Sequence, residues 1–259
     1  MAQARPTIDR LTNRQKLILS GLYLSKFDLL GVKKLGFENF LEAFNVIGYA
    51  LGSRPASVKN YRDEFDPLFP NQRMGWHKRA TREYCREVYE EYKDLDVESF
   101  TALVKSFFGF DQGDWTEITT EEQQDDRASV FAQRLITGIA AEQYFESIHA
   151  TLPEFNGYLA ENTTRFGCGY DFRLRAEPSG TDFLAVEVKG LKEQTGTLSM
   201  TPKEYEVAST LGNRFYLFVV RNFREIPSHS IFQNPLTSSL LFRKAERTLV
   251  QISWVTSIQ

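Results

Sequence analysis

The stretch GYDFRLRAEPSGTDFLAVEVKG, residues 169–190, decides the reading of this chain. Two alternating runs, GYDFRLRA (169–176) and FLAVEVKG (183–190), are joined by Pro178-Ser179-Gly180, and that composition predicts a β-hairpin. Alternation along a strand sends Tyr170, Phe172 and Leu174 to one face and Asp171 and Arg173 to the other. In the second run Leu184, Val186 and Val188 share a face, which leaves Glu187 and Lys189 together on the opposite one, roughly 7 Å apart. A turn centred on Ser179 sets Asp171 directly across from Glu187, where cross-strand Cβ atoms lie about 5 Å apart. Two carboxylates and a lysine are therefore expected on one small patch.

Like charges this close repel each other unless they share a proton or bind a cation, and hard oxygen ligands select Mg²⁺ or Mn²⁺. Such a metal would polarise a phosphodiester and acidify a bound water, while the Lys189 ammonium would steady the attacking hydroxide or the charge developing on the phosphoryl group. Upstream, SVFAQRLITGIAAEQYFESIHA (129–150) predicts a helix whose apolar stripe runs through Leu135, Ile139 and Phe145. Glu142 falls on that stripe, where a carboxylate is costly unless a metal, a base or water in a cleft compensates it. Glu146, one turn on, is the alternative to it. Downstream, Thr201-Pro202-Lys203-Glu204 predicts a capping box with proline in the first turn, a helix to about Leu211 and closure at Gly212. RFYLFVVR (214–221) then has the near-continuous apolar character of a central parallel strand.

Asp171, 15 residues, then Glu187-Val188-Lys189, with a helix glutamate before the hairpin, resembles the PD-(D/E)XK superfamily of restriction-endonuclease-like nucleases. Tyr170 stands where the superfamily's name has proline. Over roughly residues 130–225, the strings GYDFRL, EVKG and FYLFVV, with the intervening helix, are similar to the C-terminal domain of NO VEIN-like proteins, which occurs beside defence helicases and methyltransferases. Met200-Thr201 stands where that family has a hydrophobe and threonine. The resemblance implies catalytic roles for Asp171, Glu187, Lys189 and Glu142, with Asp171, Glu187 and Glu142 as ligands of Mg²⁺ or Mn²⁺. It further implies an endonuclease acting on double-stranded DNA in restriction or anti-phage defence, with a defence helicase or methyltransferase as partner. Double-strand cutting generally uses two active sites, so a homodimer is expected. The alternative function is a non-catalytic DNA-binding or assembly subunit with a vestigial nuclease fold. The plainest alternative for the three hairpin residues is a solvent-facing strip of ion pairs, which would contribute little.

The N-terminal half reads as helices at 11–27 and 38–51, the second leading through Gly52-Ser53-Arg54-Pro55 into a third, with Ser53 as the expected cap. ALGSRPASVKNYR (50–62) resembles a helix-turn-helix, which would turn Arg54, Ser57, Lys59, Asn60 and Arg62 toward DNA while Val58 and Tyr61 pack inward. NQRMGWHKRATREYCR (71–86) adds Arg73, Lys78, Arg79 and Arg82 around Trp76, a composition suited to phosphate contacts. Residues 36–80 also resemble a small helical module of bacterial restriction and defence proteins. A helical pair with a solvated, ion-paired face, such as Arg79 with Glu83, is the bland reading.

Net charge is -3, but residues 1–110 carry 17 Lys+Arg against 14 Asp+Glu, and DQGDWTEITTEEQQDD (111–126) carries seven acids and no base. That acidic run reads as a solvated linker. The expected fold class is therefore α+β: an all-helical DNA-recognition domain (1–110), an acidic linker (111–126) and an α/β restriction-endonuclease-like domain with a central mixed sheet (127–259). TLVQISWVTS (248–257) is expected as an added edge strand, and His229 with Asn234-Pro235 as a loop. Two cysteines, Cys85 and Cys168, lack metal-ligand spacing and read as core thiols. No run approaches the roughly 18 apolar residues of a membrane span, and the polar N-terminus lacks a signal-peptide core, so a cytoplasmic location is expected.

Overall fold

The computed structural model describes residues 11–71, 73, 75, 79–109 and 124–246. The expected helical half is present as α1 (Asn13–Lys34), α2 (Phe40–Ala50), α3 (Pro55–Phe65), α4 (Glu83–Tyr92) and α5 (Val97–Ser106). Thr12 and Gln15 cap α1 reciprocally, and the helix breaks once, at Asp28. Asn39 accepts the Glu42 NH and starts α2. The α2–α3 turn reverses through Gly52 at φ +64°, a conformation that disfavours any side chain. Arg54, rather than Ser53, is the N-cap of α3 and makes no side-chain cap bond; the Ser53 hydroxyl donates to Ser57 at 3.0 Å instead. Pro55 alone preorganises that start.

The C-terminal half begins with the long α6 (Gln124–Ile148), so Gln124–Asp126 of the acidic run are helical, while 111–123 lie outside the described residues. There follow β1 (Leu159–Asn162), β2 (Phe172–Arg175), β3 (Leu184–Gly190), α7 (Pro202–Leu211), β4 (Phe215–Arg221) and β5 (Ser228–Gln233). The sheet order is β1-β2-β3-β4-β5, with β3 and β4 parallel and every other neighbour pair antiparallel. The overall class is α+β with a central mixed sheet, as expected. The β2–β3 ladder pairs Phe172 with Val186 and Leu174 with Leu184, the register that a turn centred on Ser179 requires. The α7 capping box forms in full, and Gly212 closes the helix at φ 54°. His229 is not in a loop but in β5, because the outer edge of β4 offers backbone groups that a following segment can pair. The edge strand expected at 248–257 lies outside the described residues.

One face of the sheet, Phe172, Leu174, Val186, Val188, Tyr216, Phe218 and Val220, packs against Ile136, Ala140, Ala141, Tyr144 and Phe145 of α6. Phe145 lies 4.9 Å from the rings of both Phe172 and Phe218, and burying a side chain of this size contributes about 2–3 kcal/mol. The stripe expected on α6 is displaced: Leu135 is 42% exposed, because α6 is gripped by α2 on one side and the sheet on another. The same buried cluster continues into α1, α2, α3 and α5, so both halves share it. Asn45 of α2 strengthens the junction by donating to the carbonyls of Phe223 (2.8 Å) and Glu225 (2.7 Å), just after β4. No helix among the described residues is long and apolar enough to cross a membrane.

Candidate active site

The opposite face of β3 carries Ala185, Glu187 and Lys189. Ala185 packs with Tyr170, Phe215 and Ala208 of α7, and Glu187 follows it, only 3% exposed. The hairpin's alternation fails at one point. Asp171 donates its NH to Val186 O at 3.0 Å although Phe172 is the residue paired with Val186, so two residues face one, as in a β-bulge. Tyr170 consequently joins the α7 side instead of sharing a face with Phe172, which corrects the sequence-based face assignment. The bulge aims Asp171 at its neighbour strand: Asp171 Oδ2 accepts the Val188 NH at 2.8 Å.

The Lys189 ammonium donates to Glu187 Oε1 at 2.5 Å and to Glu204 Oε2 at 2.9 Å. Glu204 thus has two partners, since the same oxygen accepts the Thr201 NH in the cap of α7. Glu142 comes from α6, held by the Thr164 hydroxyl at 3.1 Å and the Asn162 amide at 3.5 Å. That hydroxyl also lies 3.5 Å from Asp171 Oδ1, which joins Glu142 to the hairpin. Gly190 ends β3 where α6 crosses: a Cβ there would stand 2.8 Å from Thr137 O, so only glycine lets the helix come this close. Glu146, the alternative to Glu142, is exposed and accepts from Gln143.

Burial dominates the electrostatics. It pushes Glu142 up to about 7, with Asp171 adding to the rise. Glu187 is pushed up to about 8, again by burial first and Asp171 second. Asp171 is raised by burial, against the Val188 NH and Lys189, which favour its charged form. Lys189 loses some basicity to burial, yet Glu187 and Glu204 more than restore it, and its net shift is upward. Among the described residues, no three His, Cys, Asp or Glu side chains are gathered as a metal ligand set. Asp171 and Glu187 are neighbours, and Glu142 is linked to them through Thr164.

The helical residues proposed for DNA contact divide into two groups. Arg54, Lys59 and Asn60 are exposed on α3, and Ser57 is half-buried beside Ser53, while Val58 packs inward as expected. Arg62 does not face outward: it is 8% exposed, bonded to Asp63 at 2.6 Å and laid over Phe40 and Phe44. Its position one turn after Val58 rotates it onto the bundle side of α3. Arg73 is held by Asp66 and Asp28, and Arg79 and Arg82 both bind the buried Glu64, so Arg79 pairs with Glu64 rather than Glu83. Lys78 lies outside the described residues.

Sequence reasoning missed Asn162, Thr164 and the second role of Glu204. The first two had a signal in Asn162-Thr163-Thr164, where the Asn162 side chain accepts the Thr164 NH at 3.1 Å in a turn typical of asparagine. The tie from Glu204 to Lys189 crosses 15 residues of sequence and left none.

Residues 141–232, about a third of the chain, match the family described as Protein NO VEIN, C-terminal. The match runs from beside Glu142 into β5 and includes Asp171, Glu187, Lys189 and Glu204. This part of the chain is therefore similar to that family's domain. No curated protein and no solved structure matches the chain.

Proposed function

We propose that the chain is a metal-dependent endonuclease of the PD-(D/E)XK type, hydrolysing DNA phosphodiester bonds in restriction or anti-phage defence. The observation that carries this reading is the convergence of Asp171, Glu187 and Lys189, with Glu142 brought in from α6, in a largely buried setting. Perturbed titrations of this kind cluster at functional sites. Similarity to the NO VEIN C-terminal domain adds support for a defence-related, nuclease-like domain.

The donor set suits a hard divalent cation, Mg²⁺ or Mn²⁺. Burial raises Glu142 and Glu187 above the ordinary carboxylate range, with Asp171 adding to both, and a bound cation would favour their charged forms. Asp171, Glu187 and Glu142 would hold it, and when bound it supplies polarisation of the phosphodiester and a more acidic attacking water. The remaining tasks fall to the chain. The Val188 NH fixes Oδ2 of Asp171 and thereby orients its other oxygen. Thr164 and Asn162 orient Glu142. Glu204 keeps Lys189 charged and positioned, so that its ammonium can donate to the nucleophile or to the phosphoryl oxygens as negative charge develops. The exposed face of α3, with Arg54, Ser57, Lys59 and Asn60, is the part of the helical half proposed to read DNA, and a homodimer would bring two sites to one duplex.

A second reading has one observation in its favour: Lys189 already bridges Glu187 and Glu204, and no three acids are gathered among the described residues. On that reading the chain is a DNA-binding or assembly subunit with a vestigial nuclease fold. Incubating the pure chain with Mg²⁺ or Mn²⁺ and plasmid, phage-modified or single-stranded DNA separates the two. Nuclease action predicts cleavage that disappears in Asp171→Ala and falls about 10²-fold or more in Lys189→Ala. No nicking of any substrate, together with no metal binding at millimolar concentration, leaves the subunit reading in its place.

A further inference from the structure

Arg221 ends β4, and its Nε is the one buried side-chain nitrogen or oxygen, among the described residues, with no hydrogen-bond partner. Buried guanidinium donors are almost always satisfied, so an orphan calls for an explanation. Its place in the sheet supplies one. Tyr216, Phe218 and Val220 face α6, so alternation puts Arg221 on the other face with Phe215 and Val219, the face of Glu187 and Lys189. Val219 is the parallel partner of Lys189, and Arg221 stands two residues further along. At about 3.3 Å per residue and about 4.8 Å between strands, the two Cα atoms are about 8 Å apart, within reach of two long side chains that meet one ligand. Both also lie at the carboxyl ends of adjacent parallel strands, where open α/β sheets bind their ligands.

Charge points the same way. Asp171, Glu187 and Glu204 lie around the single ammonium of Lys189, which two of them already engage, and Glu142 adds a further acid joined to Asp171 through Thr164. A polyanion approaching this patch meets net negative charge, so holding it takes a cationic group that no protein acid has claimed. Arg221 forms no ion pair among the described residues.

We propose that Arg221 is the residue that holds a backbone phosphate of the nucleic acid at this site, through a guanidinium that no acid among the described residues engages. The assignment rests on the nuclease reading and extends it. Guanidinium is the group suited to bidentate binding of a phosphate, and lysine offers only a point charge. Arg221→Met keeps the length and apolar stem of the side chain, and Arg221→Lys keeps the charge.

The test is fluorescence anisotropy with the full chain and labelled duplex and single-stranded oligonucleotides, in Ca²⁺ and in EDTA, over a salt series. Melting temperature controls for folding. Arg221→Met should weaken binding roughly tenfold or more at fixed salt and lower the slope of log affinity against log salt by about 0.9 on duplex. Arg221→Lys should restore most of the slope and only part of the affinity. A purely structural arginine would shift melting while leaving the salt slope alone, and that result overturns the proposal. If Arg221→Met and Arg221→Lys both fail to fold while the wild type binds, a structural role is shown and the proposal is again lost. Wild-type cleavage with an unchanged Arg221→Met removes the phosphate role and leaves the nuclease standing. A wild type that neither binds nor cuts any of these substrates defeats both.

Discussion

Two clusters of charge lie largely out of water in this molecule, one in each half, and they are compensated differently. In the helical half, Asp63, Glu64 and Asp66 meet Arg62, Arg73, Arg79 and Arg82, with Lys59 and Asp28 at the margins. Burial pushes Glu64 up, but hydrogen bonds from Arg82 and Arg79 outweigh it and leave the carboxyl below its ordinary range. Around the sheet, Lys189 bonds Glu187 and Glu204 and lies near Asp171, and burial keeps Glu142 and Glu187 up at about 7 and about 8. Burial alone raises any carboxylate; the cations within hydrogen-bonding range decide whether it returns. The first cluster fastens the bundle together. The second leaves two buried carboxyls raised.

Metal titration gives the widest contrast. Wild type should bind Mn²⁺ by calorimetry; Asp171→Ala and Glu187→Ala should show no heat at millimolar metal, and Glu142→Ala should be intermediate. Lys189→Ala should bind at least as tightly as wild type, since a competing cation is gone. Equal binding by all four variants would make the acids bystanders. Stability gives the next contrast. Glu64→Gln removes the partner of two arginines and should cost about 3 kcal/mol in urea unfolding, whereas Glu187→Gln should cost nothing or stabilise. Similar losses in both would erase the distinction.

The pH dependence of stability sharpens the comparison further. In EDTA the folded chain keeps a proton on Glu187 up to about 8, while the unfolded chain releases it near the ordinary 4.5. The folded state therefore binds more protons between those values, and the contribution present below about 4.5 is lost as pH rises through about 8. Asp171, Lys189 and Glu204 face the same carboxyl and broaden the change. Unfolding midpoints of Glu187→Gln against pH should be flatter than wild type in that window; an unaltered slope would assign the titration elsewhere. The smallest effect belongs to the exposed face of α3. Lys59→Ala breaks a pair at 3.2 Å with Asp63 and should change stability by less than about 0.5 kcal/mol. Combined with Asn60→Ala it should weaken binding to a specific duplex by about 1–3 kcal/mol per lost base contact, more than to random duplex. Equal weakening would end the recognition-helix reading.

Periodicity made the hairpin, the α7 capping box and β4 legible, because each depends on neighbours in sequence. The pairing of Phe172 with Val186 followed from the turn, but Asp171, expected directly across from Glu187, bonds Val186 O instead. What sequence did not disclose depends on contacts across the fold. The bulge at Asp171 moved Tyr170 to the other face. Strand β1 is short and mostly exposed, so it carries no apolar alternation to read. Arg62 looked like a groove-facing base because its charge was visible and its burial over Phe40 and Phe44 was not. Leu135 looked inward because α6 was assumed to bury one side.

The two amide hydrogens of Asn45 have a consequence for how the molecule opens. They hold the carbonyls of Phe223 and Glu225 immediately after β4, while Glu42 of the same helix accepts from Gln133 of α6. The turn beyond β4 cannot swing away without first releasing α2, nor can α2 depart without exposing α6. Slow amide exchange in α2, α6 and β4 should therefore share one opening free energy, that of a single cooperative unit.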